Sequence, residues 1–148
     1  MLFKSVVHTT SLVIPGMQKN KWGRIINVTS VSVKEPLNYL VLSNSIRSAV
    51  VAWAKSLSVD LGPDGITVNS ILTGYFDTER NKEINKEKSK SLNISEAEVL
   101  DKMKSLVPAS RLGTPEEYGY LVSFLSSDNA AYINGASIPI DGGLLKSY

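Results

Sequence analysis

Two residue types that build many reactive centres are scarce in this sequence of 148 residues: cysteine is absent and histidine occurs once, as His8. Disulfide bonds, thiolate metal sites and cysteine nucleophiles are therefore excluded. A metal site built from several histidines is excluded as well, and we predict no metal site. His8 is expected on a helix surface.

The sequence also lacks long apolar runs and a large net charge. No apolar stretch reaches about 18 residues, so no transmembrane helix is expected. Polar residues at positions 8–11 make the start of the chain a poor signal-peptide core. Lys and Arg total 16 against 14 acidic residues, a net charge of +2, which is too weak to indicate nucleic acid. We expect a cytoplasmic protein without a membrane or nucleic-acid partner, and only the isoelectric point of 8.8 keeps nucleic-acid binding as a third hypothesis.

What the sequence does contain is an alternation of helix and strand signals. With 43% hydrophobic and 20% charged residues, the chain can bury one core. Helical spacing of apolar residues, or a helix-capping pattern, marks four segments: residues 2–18, 45–61, 95–106 and the segment from 115 onward. Short β-branched runs predict three strands, at residues 24–29, 66–72 and 136–140.

This order of elements predicts an α/β fold. Alternating helices and strands form parallel sheets with helices on both faces. We therefore expect three parallel strands in a doubly wound sheet, within a single domain of residues 1–148. Three strands are few for such a sheet, and at least one outer strand would have an unpaired edge. The pattern is that of the second half of a larger sheet.

Five short segments resemble, in the correct order, segments of the short-chain dehydrogenase/reductase family. They are GRIINVTS at 23–30, LGPDGITVN at 61–69, RLGTPEE at 111–117, FLSSD at 124–128, and YING followed by DGG between 132 and 143. The first resembles the strand that delivers the catalytic serine of the family. The resemblance covers nearly the whole chain and implies the C-terminal half of a Rossmann-type fold.

The resemblance also implies three catalytic positions. In the family a tyrosine follows the serine by 13 positions, and a lysine follows that tyrosine by four. Ser30 holds the serine position, so Ser43 stands at the tyrosine position and Arg47 at the lysine position. These three are the candidate catalytic residues, and Arg47 is also a candidate contact for a cofactor ribose.

The two replacements affect proton transfer. Hydride transfer to a carbonyl needs a proton for the developing alkoxide, and a phenol with a pKa of about 10 can donate it beside an ammonium group. A serine hydroxyl is a far weaker acid, and a guanidinium does not release a proton at working pH. Ser30 can still polarise a carbonyl oxygen. Tyr39 is a less favoured replacement acid because it lies four residues too early.

The resemblance implies NAD or NADP as the cofactor. However, the sequence contains no glycine-rich turn of the kind that holds the pyrophosphate at a helix N-terminus. We therefore expect weak or no cofactor binding by this chain alone. Thr73 and Gly74 stand where the family usually has Pro-Gly beside the nicotinamide, and Thr78 stands where a hydroxyl often reaches the cofactor amide. Together with Arg47, these three are the candidate cofactor-binding residues.

Each candidate also has a purely structural interpretation. Ser30 can be a polar residue at a strand end, and Arg47 can make only a salt bridge. For Ser43 a helix N-cap is favoured over a proton donor. The stretch 82–90 alternates lysines with acids and Asn, which favours a solvated lid over the substrate pocket rather than a nucleic-acid patch.

The sequence therefore predicts an NAD(P)-dependent oxidoreductase of the short-chain dehydrogenase type, acting on a small carbonyl or alcohol substrate. It resembles the 3-oxoacyl-acyl carrier protein reductase or the sugar/alcohol dehydrogenase branches of the family, and it is expected to be inactive or impaired as this isolated chain. The alternative is a non-catalytic, truncated relative that acts as an oligomerisation scaffold or partner half. In the family, the helices corresponding to 2–18 and 45–61 pair across a twofold axis, so a homo-oligomer is expected by analogy.

Overall fold

The structure, a computed structural model, describes residues 2–38 and 40–147. In chain order its elements are α1 (Leu2–Asn20), β1 (Gly23–Val28), α2 (Val41–Leu61), β2 (Ile66–Thr73), α3 (Glu79–Leu92), α4 (Glu96–Leu106), α5 (Pro115–Ser126) and β3 (Ser137–Ile140). Among the described residues, no helix is both long enough and apolar enough to cross a bilayer.

The three strands form one parallel sheet in the order β1-β2-β3. β1 pairs with β2 from Gly23 opposite Ile66 to Val28 opposite Ile71, and β2 pairs with β3 from Ser70 opposite Ser137 onward. The predicted three-stranded parallel sheet is therefore confirmed. In the described part of the chain, β1 and β3 are the outer strands.

Helices cover both faces of the sheet, as predicted for a doubly wound fold. On one face, a buried cluster joins β1 and β2 to α2, with α1 residues packed against it: Ile25, Ala54, Leu61, Ile66 and Val68. On the other face, Leu125 of α5 packs with Ile71 and Ala130. The first seven residues of β2 are all buried, because the central strand is covered on both sides.

Two predictions about the helices were wrong. α2 begins at Val41, earlier than expected, so Ser43 lies inside the helix. The N-cap of α2 is Leu40, which makes no side-chain capping bond. Ser43 is therefore not the N-cap.

The segment after β2 contains two helices, whereas only the second, at 95–106, was predicted. α3 was missed because its sequence, ERNKEINKEKSKSL, has no apolar stripe, and its buried residues are the polar Asn85 and Ser89. The capping signals were present. Thr78 caps the start of α3, and Asn93 adopts the left-handed conformation at its end. The lysine-rich segment is therefore helical.

Candidate active site

The candidate catalytic and cofactor-binding residues lie at or beyond the carboxyl ends of β1 and β2. Because the two strands are parallel, Val28 at the end of β1 and Thr73 at the end of β2 lie at the same edge of the sheet. In open α/β sheets this edge forms the crevice where ligands bind.

Ser30 lies just beyond the end of β1 and is half-buried. Its Oγ accepts a hydrogen bond from the backbone N–H of Ser32 at 3.1 Å, which caps a short 3₁₀ turn at Val31–Val33. This bond uses one acceptor position of the hydroxyl and leaves its hydrogen unused within the described residues. Ser30 thus serves as a structural cap while keeping a donor that can bind a carbonyl oxygen.

Ser43 and Arg47 line a cavity of about 230 Å³ between α1 and α2, beside Val28. The Nε of Arg47 donates to the Oγ of Ser43 at 3.3 Å, one turn away on the same helix. Ser30 does not line this cavity, although it follows Val28 by two residues. The cavity therefore unites two of the three candidate catalytic residues.

Arg47 forms no ion pair within the described residues, in contrast to Arg24, Arg80 and Arg111. The alternative that Arg47 makes only a salt bridge therefore finds no support in the structure. Its terminal nitrogens keep N–H groups for an anionic or hydroxyl-bearing ligand.

Thr73 and Gly74 form the turn that leaves β2. The Thr73 hydroxyl lies 3.1 Å from the hydroxyl of Tyr118 on α5. The N–H of Gly74 donates to the carbonyl of Ile140 at 3.0 Å. A Cβ at position 74 would lie 2.6 Å from the Cα of Asp141, so glycine is required there by the close approach of two backbones.

Thr78 has a structural task. Its Oγ1 accepts a hydrogen bond from the N–H of Asn81 at 3.3 Å and thereby caps α3. The preceding loop is held by a parallel bridge between Phe76 and Gly113. The hydroxyl of Thr78 retains its donor for a further partner, so the cap does not exclude a cofactor contact.

Tyr118 is an inner residue of α5 that packs against the core, and its polar role was not predicted. Burial raises the pKa of its phenol, whereas the hydrogen bond to Thr73 and the positive charge of Arg47 act to lower it. An aromatic residue at an inward helical position predicts packing, and nothing local in the sequence indicated its partner. Tyr39, the less favoured replacement acid, lies outside the described residues.

A second cavity of about 250 Å³ lies between the turn after β2, the turn after β3 and the start of α5. Tyr75, Phe76, Arg111, Glu117 and Asp141 are among its lining residues. Arg111 and Glu117 form a two-pronged ion pair with N–O distances of 2.8 and 2.6 Å. The Arg111 guanidinium and the Thr114 N–H lower the pKa of Glu117 to about 2. These two charges neutralise each other, and the remaining lining includes the aromatic Tyr75 and Phe76 and the Asp141 carboxylate.

In the part of the chain that the structure describes, no group of three or more His, Cys, Asp or Glu side chains is placed to hold a metal ion. The side chains of the predicted site residues at this edge of the sheet offer hydroxyls and a guanidinium. Such groups suit a ligand that carries phosphate, ribose or carbonyl oxygens.

A model of the enoyl-(acyl carrier protein) reductase family, part of the short-chain dehydrogenases, matches residues 2–145. The chain belongs to the short-chain dehydrogenase/reductase family. It is similar to the NADPH-dependent reductase BacG of Bacillus subtilis, with 34% identity over 88% of this chain and 51% of that protein. It is also similar to the 3-oxoacyl-[acyl-carrier-protein] reductase FabG of Pseudomonas aeruginosa, with 31% identity over 97% of this chain and 53% of that protein.

Solved structures agree with this assignment. The chain matches the bacilysin-biosynthesis reductase YwfH with a TM-score of 0.83 and 32% identity over 89% of this chain and 50% of that protein. It matches L-sorbose reductase of Gluconobacter frateurii with a TM-score of 0.85 and 30% identity over 91% of this chain and 52% of that protein. The chain spans about half the length of the relatives it matches, and it corresponds to their C-terminal half. The predicted family and fold are thereby confirmed.

Proposed function

We propose that this chain is the substrate-side half of an NAD(P)-dependent oxidoreductase that interconverts a small carbonyl compound and its alcohol. The observation that carries the proposal is Arg47, a cation that has no ion-pair partner among the described residues and that lines a cavity with Ser43 at the carboxyl edge of the sheet. Two similar proteins are described as NADPH-dependent or NADPH-bound reductases, which supports NADPH as the first cofactor to test. Similarity to FabG supports a 3-oxoacyl substrate class.

The residues present fit parts of a dinucleotide. When bound, the nicotinamide supplies the hydride. Arg47 would hold a ribose or phosphate oxygen through its free N–H groups, and Thr73 with Gly74 would form the wall of the site at the end of β2. Ser30 would donate its hydroxyl hydrogen to the substrate carbonyl oxygen and so polarise it.

The proton donor is the weak point of this site. Ser43 accepts the Nε–H of Arg47, and its aliphatic hydroxyl is a far weaker acid than a phenol. Arg47 stabilises negative charge but does not release a proton at working pH. We therefore propose that the isolated chain is catalytically impaired and that it binds the dinucleotide weakly, because its sequence holds no glycine-rich pyrophosphate turn.

A cofactor-binding assay tests the proposal. Thermal unfolding of the chain is followed at rising NADPH and NADH concentrations, because a ligand at 100 times its Kd stabilises the folded state by about 2.7 kcal/mol. We expect a small stabilisation at millimolar NADPH that the Arg47→Gln variant loses. Arg80→Gln is the control, because Arg80 is an exposed arginine of α3 outside the cavity. An Arg47→Gln variant that is stabilised as much as the wild type would contradict the proposal.

A second candidate function is an oligomerisation scaffold. Large apolar side chains are exposed on the two helices that pack together on one face, with Leu12 of α1 and Val59 of α2 each 68% exposed. Sedimentation velocity would test it: we expect a dimer or larger species that Leu12→Asp or Val59→Asp dissociates. A monomer in the wild type would exclude this role. Oligomeric state and cytoplasmic location both stay predictions.

A further inference from the structure

Tyr118 contacts both ends of the turn that leaves β2. Its hydroxyl lies 3.1 Å from that of Thr73, the last residue of the strand. Its ring packs edge-on against Phe76, with ring centres 5.3 Å apart and planes at 79°. A single half-buried side chain of α5 thus joins the strand end to the loop that follows it.

The rest of this turn is held by backbone bonds and by the side chain of Asn81, whose Nδ2 donates to the Phe76 carbonyl at 2.6 Å. Gly74 N–H donates to Ile140, Gly113 N–H donates to Tyr75, and Asp77 N–H donates to Gly113, at distances of 2.9 to 3.0 Å. These bonds hold the main chain after the strand, and the contact between the Tyr118 and Thr73 hydroxyls adds a side-chain bond at the strand end. The Tyr118 hydroxyl favours one rotamer of Thr73 by offering it a hydrogen-bond partner.

We propose that Tyr118 is a positioning residue of the candidate active site: by holding the Thr73 hydroxyl and the Phe76 ring, it fixes the turn at the carboxyl end of β2. This end is where open parallel sheets bind their ligands. The identity of the ligand as a nicotinamide dinucleotide rests on the proposed function, whereas the contacts of Tyr118 do not.

The electrostatics support a link between this residue and the cavity beside α2. The pKa of Tyr118 is raised by burial, and both the Thr73 hydrogen bond and the charge of Arg47 oppose that rise. Tyr118 belongs to α5, which covers one face of the sheet, while Arg47 belongs to α2, which covers the other. We therefore expect an anion bound to Arg47 to raise the pKa of the phenol.

Hydrogen exchange tests the positioning role. Tyr118→Phe keeps the ring and removes the hydroxyl, and Thr73→Val removes the partner. We expect the Gly74 amide to exchange about fivefold faster in each variant, because a typical hydrogen bond contributes about 1 kcal/mol. The double variant should exchange no faster than either single one, since both lose the same bond. Tyr120→Phe is the matched control, because Tyr120 is 71% exposed on the same helix.

The Val68 amide, which bonds the side chain of Asn134 at 2.8 Å, reports global opening in the same experiment. A proportional rise at Gly74 and Val68 in Tyr118→Phe would show only lost stability and would overturn the proposal. Unchanged exchange at Gly74 would overturn it as well.

Titration of the phenol tests the electrostatic link to Arg47. With Cζ-labelled tyrosine, the Tyr118 signal is assigned as the one missing in Tyr118→Phe. We expect its pKa to rise in Arg47→Gln and to return towards the wild-type value in Arg47→Lys, which keeps the charge. Identical pKa values in wild type and Arg47→Gln would refute the link. A failure of NADPH to bind would remove the proposed function and leave these results standing.

Discussion

Arg47 donates its Nε–H to the hydroxyl of Ser43, one helical turn earlier on α2, at 3.3 Å. The two residues stand where the family places lysine and tyrosine. In this chain Arg47 and Ser43 form a hydrogen-bonded pair. The bond leaves the positive charge of Arg47 in place and supplies no acidic group. This pair underlies the proposal that Arg47 supplies a cation for ligand binding while the site lacks a proton donor.

The first prediction concerns the place of Ser43 within α2. If Ser43 capped the helix, its replacement by alanine would cost about 1 kcal/mol. Because it lies inside the helix, where alanine is the better residue, we expect Ser43→Ala to change the free energy of unfolding by no more than about 0.5 kcal/mol. Thr114→Ala is the positive control, since Thr114 is a true N-cap in a capping box with Glu117. Urea denaturation measures both, and a larger loss in Ser43→Ala than in Thr114→Ala would contradict the structure.

The second prediction concerns the close approach of the turns after β2 and β3. Gly74→Ala places a methyl group 2.6 Å from the Cα of Asp141, and backbone atoms cannot move aside cheaply. We expect a loss of about 2–3 kcal/mol in the free energy of unfolding. Gly119→Ala on α5 is the control, because nothing lies within 4 Å of its added methyl group. That variant should gain about 0.5–1 kcal/mol from helix propensity, and equal effects at the two sites would be the contrary outcome.

The third prediction is a dependence of stability on acid. The pKa of Glu117 is lowered to about 2 by Arg111 and Thr114. A carboxyl whose folded pKa lies below its unfolded value near 4.5 stabilises the fold fully above that value and loses the contribution as pH falls towards 2. Melting temperature should therefore fall between pH 5 and 2, and Glu117→Gln should flatten the fall. Glu116→Gln is the control, because it removes a charge from the same helical turn. If both variants reduced the pH dependence of the melting temperature equally, the ion pair of Glu117 with Arg111 would not be its cause.

The fourth prediction concerns the tail after β3. One oxygen of Glu35 accepts the N–H groups of both Lys146 and Ser147 at 2.8 Å, which ties the tail to the loop after Ser30. Because hydrogen bonds to charged groups are the stronger ones, we expect both amides to exchange roughly tenfold faster in Glu35→Ala. The Leu145 amide bonds Asp141 instead and should keep its rate. Unchanged exchange at 146 and 147 would mean that Glu35 does not hold the tail.

The strands and their direction were predictable because their signals are local. A β-branched run such as Ile66–Thr73 buries both faces, and the alternation of such runs with helices admits few topologies besides a parallel sheet. The start of α5 was equally predictable, since Thr114, Pro115 and Glu117 each favour a helix start by themselves. Family membership followed from short segments in a fixed order.

The missed features depend on partners distant in the chain. α3 is polar almost throughout. The spacing of its apolar residues therefore could not predict that it packs against α4 and the loop after β2. Tyr118 contacts Thr73, from which it is separated by 45 positions in the sequence. Glu35 contacts the tail, which lies more than 110 positions later. Residue identity, spacing and order determined the fold, because these signals act within a few turns of chain, whereas the replaced proton donor stays a prediction. Only the tertiary structure determined which hydroxyl groups contact each other, such as those of Thr73 and Tyr118. Side chains at this edge of the sheet come together only when the strands align.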